Sequence, residues 1–172
     1  MSHPAALQDF WADSDRFHEE RPDPCFDEWS VSPNWCRCFR GHIEQLRPLS
    51  ESGNDNAKYA IASIYLFGMI YPDEETEIER SPVDQLVMTE LLASAAKNGM
   101  AIAFDNLATW GIGEVADVAR EAIKEHEQEN KADWSAEHEL PVYTSQWMAG
   151  AMKLWQIRIG EQDGRSGRSE PV

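Results

Sequence analysis

Three cysteines and a histidine form the first group in this chain that could do chemistry. Cys36, Cys38 and His42 lie close together, with Cys25 upstream. Three thiols and an imidazole are a ligand set that structural zinc accepts. On a helix, however, Cys-x-Cys sends its two thiols about 200° apart, and the usual paired spacing is missing. The cysteines read better as small buried hydrophobes, so no metal or cofactor is expected, and a zinc-stabilised domain stays as a minor reading. Carboxylate pairs come next, at Glu19-Glu20, Glu74-Glu75 and Glu77 with Glu79. A chain with 31 acidic residues yields such neighbours by chance. Glycoside chemistry needs two carboxylates set across a cleft, and nothing in the sequence marks one. His18, His42, His126 and His138 are scattered, with no nucleophile elbow, phosphate-binding glycine loop or zincin pattern beside them. No catalytic residues are therefore expected. Trp11, Trp29, Trp35, Trp147 and Trp155 fall mostly on helical faces and read as core. Trp110 is the exception, next to Gly111 and Gly113, where an exposed indole could anchor a partner.

The elements that would position these side chains are helices. Pro4 to Glu20 carries Leu7, Phe10, Trp11 and Phe17 at helical spacing, with Ser14 near the same face. Arg21-Pro22-Asp23-Pro24 ends it. Cys25 to Asn34 reads as an ordered loop with Phe26 and Trp29 tucked onto the core. A second helix runs from Asn34 to about Arg47, with Trp35, Cys38, Phe39, His42, Ile43 and Leu46 on one face and Pro48 disturbing its end. Ala57, Ile61, Ala62 and Tyr65 form the stripe of a third, with Gly68 as its stop. Ser81-Pro82 signals a fourth helix, with Leu86, Val87, Leu91, Leu92, Ala95 and Ala96 inside and Gly99 as its end. Ala103 to Trp110 follows, and Glu114 to Lys131 is its expected partner through Val115, Val118, Ala119, Ala122 and Ile123. After a break, Val142 to Ile159 presents Tyr143, Trp147, Met148, Ala151, Leu154 and Trp155 before Gly160. The tail 161–172 has no apolar stripe and is expected to be mobile. The expected domain is residues 1–160.

One stretch repeats. Gly53, Ala57 and Ile61-Ala62 recur as Gly99, Ala103 and Leu107-Ala108, each 46 residues on. A fixed offset of this size marks stacked helical hairpins. Ala57, Ile61, Ala62, Tyr65 and Gly68 resemble the first helix of the Sel-one-like repeat, a relative of the tetratricopeptide repeat. Ala95, Ala96 and Gly99 resemble the end of its second helix. Ala103, Leu107 and Ala108 resemble the opening of the next copy, while Leu49, Ser50 and Gly53 resemble a worn earlier one. The resemblance covers about 49–113. The sequence departs from the pattern in the long connection Met69 to Ser81 and at Gly111, which stands where the second copy should have its aromatic. The resemblance implies an all-α fold: a short α-solenoid of antiparallel helical hairpins with an N-terminal helix and a C-terminal capping helix. It also implies a scaffold for protein–protein contact, with no catalytic residues carried over.

Composition fits. At 172 residues and 42% hydrophobic content, the chain is long enough to bury a core. A formal net charge of −16 repels nucleic acid and anionic membrane. No run approaches the ~18 apolar residues of a membrane span. An odd number of cysteines and no secretory signal suggest a cytoplasmic, reduced protein. The charge reads either as plain solubility or as a surface complementary to a basic protein partner. Expected partner-binding residues are Tyr59, Ser63, Phe67, Phe104, Asp105 and Trp110 on the first helices of the two copies, and Asp73, Glu74, Glu75, Glu77 and Glu79 in the inserted loop. The functional expectation is a non-enzymatic binding module, for instance an acidic immunity-type inhibitor of a basic toxin or nuclease. A general adaptor, or an enzyme with an unmarked site in the groove, would leave the same sequence.

Overall fold

The computed structural model describes residues 4–20, 33–70, 82–129 and 145–166, with side chains over 4–16, 41–66, 84–129 and 147–164. Among the described residues there are seven α-helices and no strand: α1 (Ala5–Glu20), α2 (Pro33–Glu51), α3 (Asp55–Ile70), α4 (Pro82–Lys97), α5 (Ala101–Trp110), α6 (Glu114–Glu129) and α7 (Ser145–Ser166). The protein is all-α. No helix among these residues is long and apolar enough to cross a membrane. The expected loops at 25–34 and 69–81 and the break near 133–141 fall wholly or mostly outside the described residues. The chain divides into two compact units, 1–91 and 92–172, with the boundary inside α4.

In the first unit α2 packs along α3, and α1 packs on both. Leu7 and Phe10 of α1, Leu46 of α2, and Ala57, Ala60, Ile61 and Ile64 of α3 form the core. Alanines on α3 let its neighbours approach closely, and each fully buried Leu or Phe contributes about 1.5–3 kcal/mol. His42 is buried beside this core, and its Nε2–H donates to Asp13 Oδ2 at 2.8 Å, tying α2 to α1. Trp11, expected inside, is 37% exposed.

The second unit is built from the end of α4 with α5, α6 and α7. α6 lies along α7, and α5 packs on both. Expected partners α5 and α6 do meet. Ala116, Ala119 and Ala122 of α6 and Ala151 of α7 are fully buried small residues that permit close packing. Trp155 is the largest fully buried side chain among the described residues; its Nε1–H donates to Val115 O at 3.1 Å and its ring lies 5.5 Å from Phe104. Gln156 reaches the end of α4, where its Nε2 donates to Ala96 O at 3.1 Å and Lys97 O at 3.2 Å.

The two copies end their helices alike. Gly53, at φ 93°, donates to Ser50 O, and Asn54 donates to Leu49 O. Gly99, at φ 101°, donates to Ala96 O, and Met100 donates to Ala95 O. These are the paired bonds of a Schellman turn, in which glycine adopts the left-handed backbone without steric cost. The next helix then starts with the same bond in each copy, Lys58 N–H to Asn54 O and Phe104 N–H to Met100 O.

Several expected helix ends are corrected. α2 continues through Pro48 to Glu51. Pro48 and Glu44, the residue four before it whose helical bond proline cannot make, are both exposed. α3 continues past Gly68 to Ile70, and α7 past Gly160 to Ser166. Glycine permits a left-handed stop but does not impose one. On α4 the buried set is Met88, Thr89, Leu92, Ala93, Ala95 and Ala96, while Leu86 is 49% exposed.

Candidate functional site

The residues expected to bind a partner fall into several groups. Tyr59 and Ser63 are half-buried on α3. The Tyr59 ring stacks on Trp11 at 6.3 Å between centroids and 25° between planes, giving α1 and α3 a partly exposed aromatic pair. Ser63 Oγ–H donates to Tyr59 O at 2.9 Å. The side chain of Phe67 lies outside the described residues, as do Asp73, Glu74, Glu75, Glu77 and Glu79. Phe104 is corrected: it is fully buried against Trp155. It shares the α5 stripe with Ala103, Leu107 and Ala108, one turn apart, so it cannot also face a partner. Asp105 is exposed, and Trp110 is 40% exposed at the end of the same helix.

Asp105 opens onto a shallow cleft of about 370 Å³ within the second unit. Its apolar lining is Ala108 of α5, Ile123 of α6 and Met148 of α7. Its polar lining is Asp105 and Thr109 of α5 and Arg120, Lys124 and Glu127 of α6. Helical spacing explains the α6 set, because residues 120, 123, 124 and 127 share one face. Met148 and Ala108 are buried and form the floor, while Asp105, Thr109 and Lys124 are exposed and form the rim.

Arg120 has a structural task at this site. Its Nη1 donates to Ala108 O at 2.9 Å and to Gly111 O at 3.3 Å, and its Nη2 donates to Asp117 Oδ1 at 2.6 Å. It satisfies carbonyls that the end of α5 leaves without helical partners, where the helix dipole favours a cation. Thr109 Oγ1–H is likewise engaged, donating one turn back along α5 to Asp105 O at 2.9 Å. Neither Arg120 nor Lys124 is signalled by any motif; only the 3–4 residue spacing on α6 groups them.

Behind the cleft, α6 and α7 meet over His126, whose ring lies 4.9 Å from that of Trp147 and directly over Gly150. Glu125 and Arg158 pair between the same helices. Among the described residues no group of three His, Cys, Asp or Glu could hold a metal ion. Cys25 lies outside those residues, and so do the side chains of Cys36 and Cys38 on α2. The cleft thus combines an apolar floor with two carboxylates, Asp105 and Glu127, and the ammonium of Lys124. No family model, curated protein or solved structure matches the chain.

Proposed function

We propose that this chain is a non-enzymatic, protein-binding module of the Sel-one-like, α-solenoid kind, acting as an acidic immunity-type inhibitor that neutralises a basic toxin or nuclease. The observation that carries the reading is the recurrence of one capped unit. Leu49 to Ala62 and Ala95 to Ala108 share the same glycine turn, the same helix-start bond and the same buried small residues. Helical repeats commonly use their surface for binding rather than chemistry. Partly exposed aromatics, Trp11 with Tyr59 and Trp110, are the residue types that anchor interfaces. A net charge of −16 favours a basic partner by speeding encounter. Nucleic acid and anionic membrane are disfavoured by the same charge.

The test is affinity capture by the full chain from its native cells at about 50 mM and about 300 mM salt, where screening lengths differ more than twofold. The reading expects a basic protein held more firmly at the lower salt, a 1:1 complex of purified components by calorimetry, and loss of that protein's toxic or nucleolytic activity on binding. Binding without inhibition would make the chain an adaptor. No partner at either salt would remove the reading.

A further inference from the structure

We propose that the cleft between α5, α6 and α7 receives one long basic side chain, a lysine or arginine, from the partner protein. The proposal rests on the binding-module reading and names the recognition element within it. The cleft matches such a side chain in its two parts. Ala108, Ile123 and Met148 supply an apolar surface for the methylene stem, which basic side chains bury readily while their heads stay polar. Asp105 and Glu127 supply carboxylates for the head. Neither carboxylate has an ion pair among the described residues.

The charges inside the cleft decide the sign of its ligand. Arg120 is spent on Ala108 O, Gly111 O and Asp117, so its charge is already answered. That leaves two carboxylates against the single ammonium of Lys124, within a chain carrying sixteen excess negative charges. The balance favours a cation. Lys124 is exposed and occupies the rim, where it competes with the incoming head. A free diamine fits less well, because its second ammonium would lie on the apolar floor. A single cation on an alkyl stem, as a side chain presents it, leaves no charge there.

The experiment needs no identified partner. The full chain, labelled at isoleucine, alanine and methionine methyls, is titrated with N-acetyl-lysine methylamide, N-acetyl-arginine methylamide, putrescine and acetate. The proposal expects saturable shifts of the Ile123 and Met148 methyls by one or both amides, with Kd on the order of 1–10 mM, typical for one side chain. Asp105→Asn combined with Glu127→Gln should weaken binding at least about tenfold, and Lys124→Ala should tighten it about two- to threefold, as expected for surface charge pairs. Asp105 and Lys124 are exposed and Glu127 is half-buried, and the methyl spectra of the variants report whether the fold is kept. Absence of saturable shifts with either amide overturns the proposal. Tighter binding of putrescine than of both amides assigns the cleft to a free polyamine and overturns it as well. Preference for acetate overturns the sign. Capture of a partner with a silent cleft would leave the functional reading standing and sink this one; a responsive cleft with no partner would do the reverse.

Discussion

Gly111→Ala tests the packing of the second unit at its tightest point. Gly111 sits at φ −68° and ψ 160°, a backbone that alanine adopts freely, so any cost is steric. A Cβ there would lie 2.5 Å from Leu107 O and 2.9 Å from both Ala116 Cβ and Leu107 Cδ1. The Leu107 carbonyl is backbone and cannot swing aside. It also accepts the Gly111 N–H at 2.9 Å, and Gly111 O in turn accepts from Arg120 at 3.3 Å. Relief therefore requires residue 111 to move away both from the last turn of α5 and from the first turn of α6, loosening both bonds. Overpacking of this kind costs about 1–3 kcal/mol, and the upper end applies because backbone is struck. Reduced freedom of the unfolded chain returns about 0.4–1 kcal/mol. The net expectation is a loss of about 2 kcal/mol. Gly160→Ala is the matched control. It lies within α7, exposed, with nothing within 4 Å of its added Cβ. There alanine should stabilise by about 0.5–1 kcal/mol. Urea unfolding followed by circular dichroism and tryptophan fluorescence measures both, with unchanged slope as the check that only stability moved. A Gly111→Ala protein as stable as the Gly160→Ala protein would refute the close packing of Leu107 and Ala116 around residue 111.

Three further outcomes are expected. Gly150→Ala places a Cβ 2.5 Å from His126 Cε1; it should cost about 1–2 kcal/mol, and His126→Ala in the same chain should recover most of that loss, giving a coupling of about 1 kcal/mol in a double-mutant cycle by urea unfolding. Asn54→Ala removes the Oδ1 acceptor of the Ala57 N–H at 3.0 Å, and thermal and urea unfolding should show a loss of about 1 kcal/mol. Arg120→Met keeps the stem but abandons the carbonyls of Ala108 and Gly111; a loss of about 1 kcal/mol is expected, with hydrogen exchange quickening first at the end of α5.

Much of the fold was legible because its signals are local. Gly53 and Gly99 each follow an apolar helical stripe and precede a second one, and both are the left-handed residues of a helix stop. Ser14 was placed on the inner face of α1 by spacing alone and is buried there. The failures have a common cause. Gly68, Gly160 and Pro48 carry the right residue types for a stop, but neighbouring side chains continue the helix and outweigh them. Phe104 was expected on the exposed side of its helix with Asp105 and Trp110, whereas its own stripe with Leu107 turns it in. The cleft was not legible at all. Arg120, Lys124 and Glu127 read as one charged face of an acidic helix, and it is Ala108 and Met148, from two other helices, that give that face a floor.

The place where the second copy breaks the pattern follows from the length of its connection. Tyr65 of α3 corresponds, 46 residues on, to Gly111, which lies beyond the end of α5. α3 has 16 residues and α5 has 10. Residues 71–81 separate α3 from α4 in the sequence. α5 has only residues 111–113 in which to turn into α6. A three-residue link leaves Gly111 wedged between the last turn of one helix and the first turn of the next, so that a Cβ there would meet Leu107 O at 2.5 Å and Ala116 Cβ at 2.9 Å. An aromatic at 111 would need that same space. The shortened helix, its glycine, the left-handed Gly113 and the arginine that answers the freed carbonyls are thus one arrangement with one cause. Lengthening the link should dissolve that requirement: insertion of about four glycine and serine residues after Gly111, a length common for helix–helix connections, is expected to make Gly111→Ala nearly neutral. If the substitution stays as costly in the lengthened chain, the short link is not what demands the glycine.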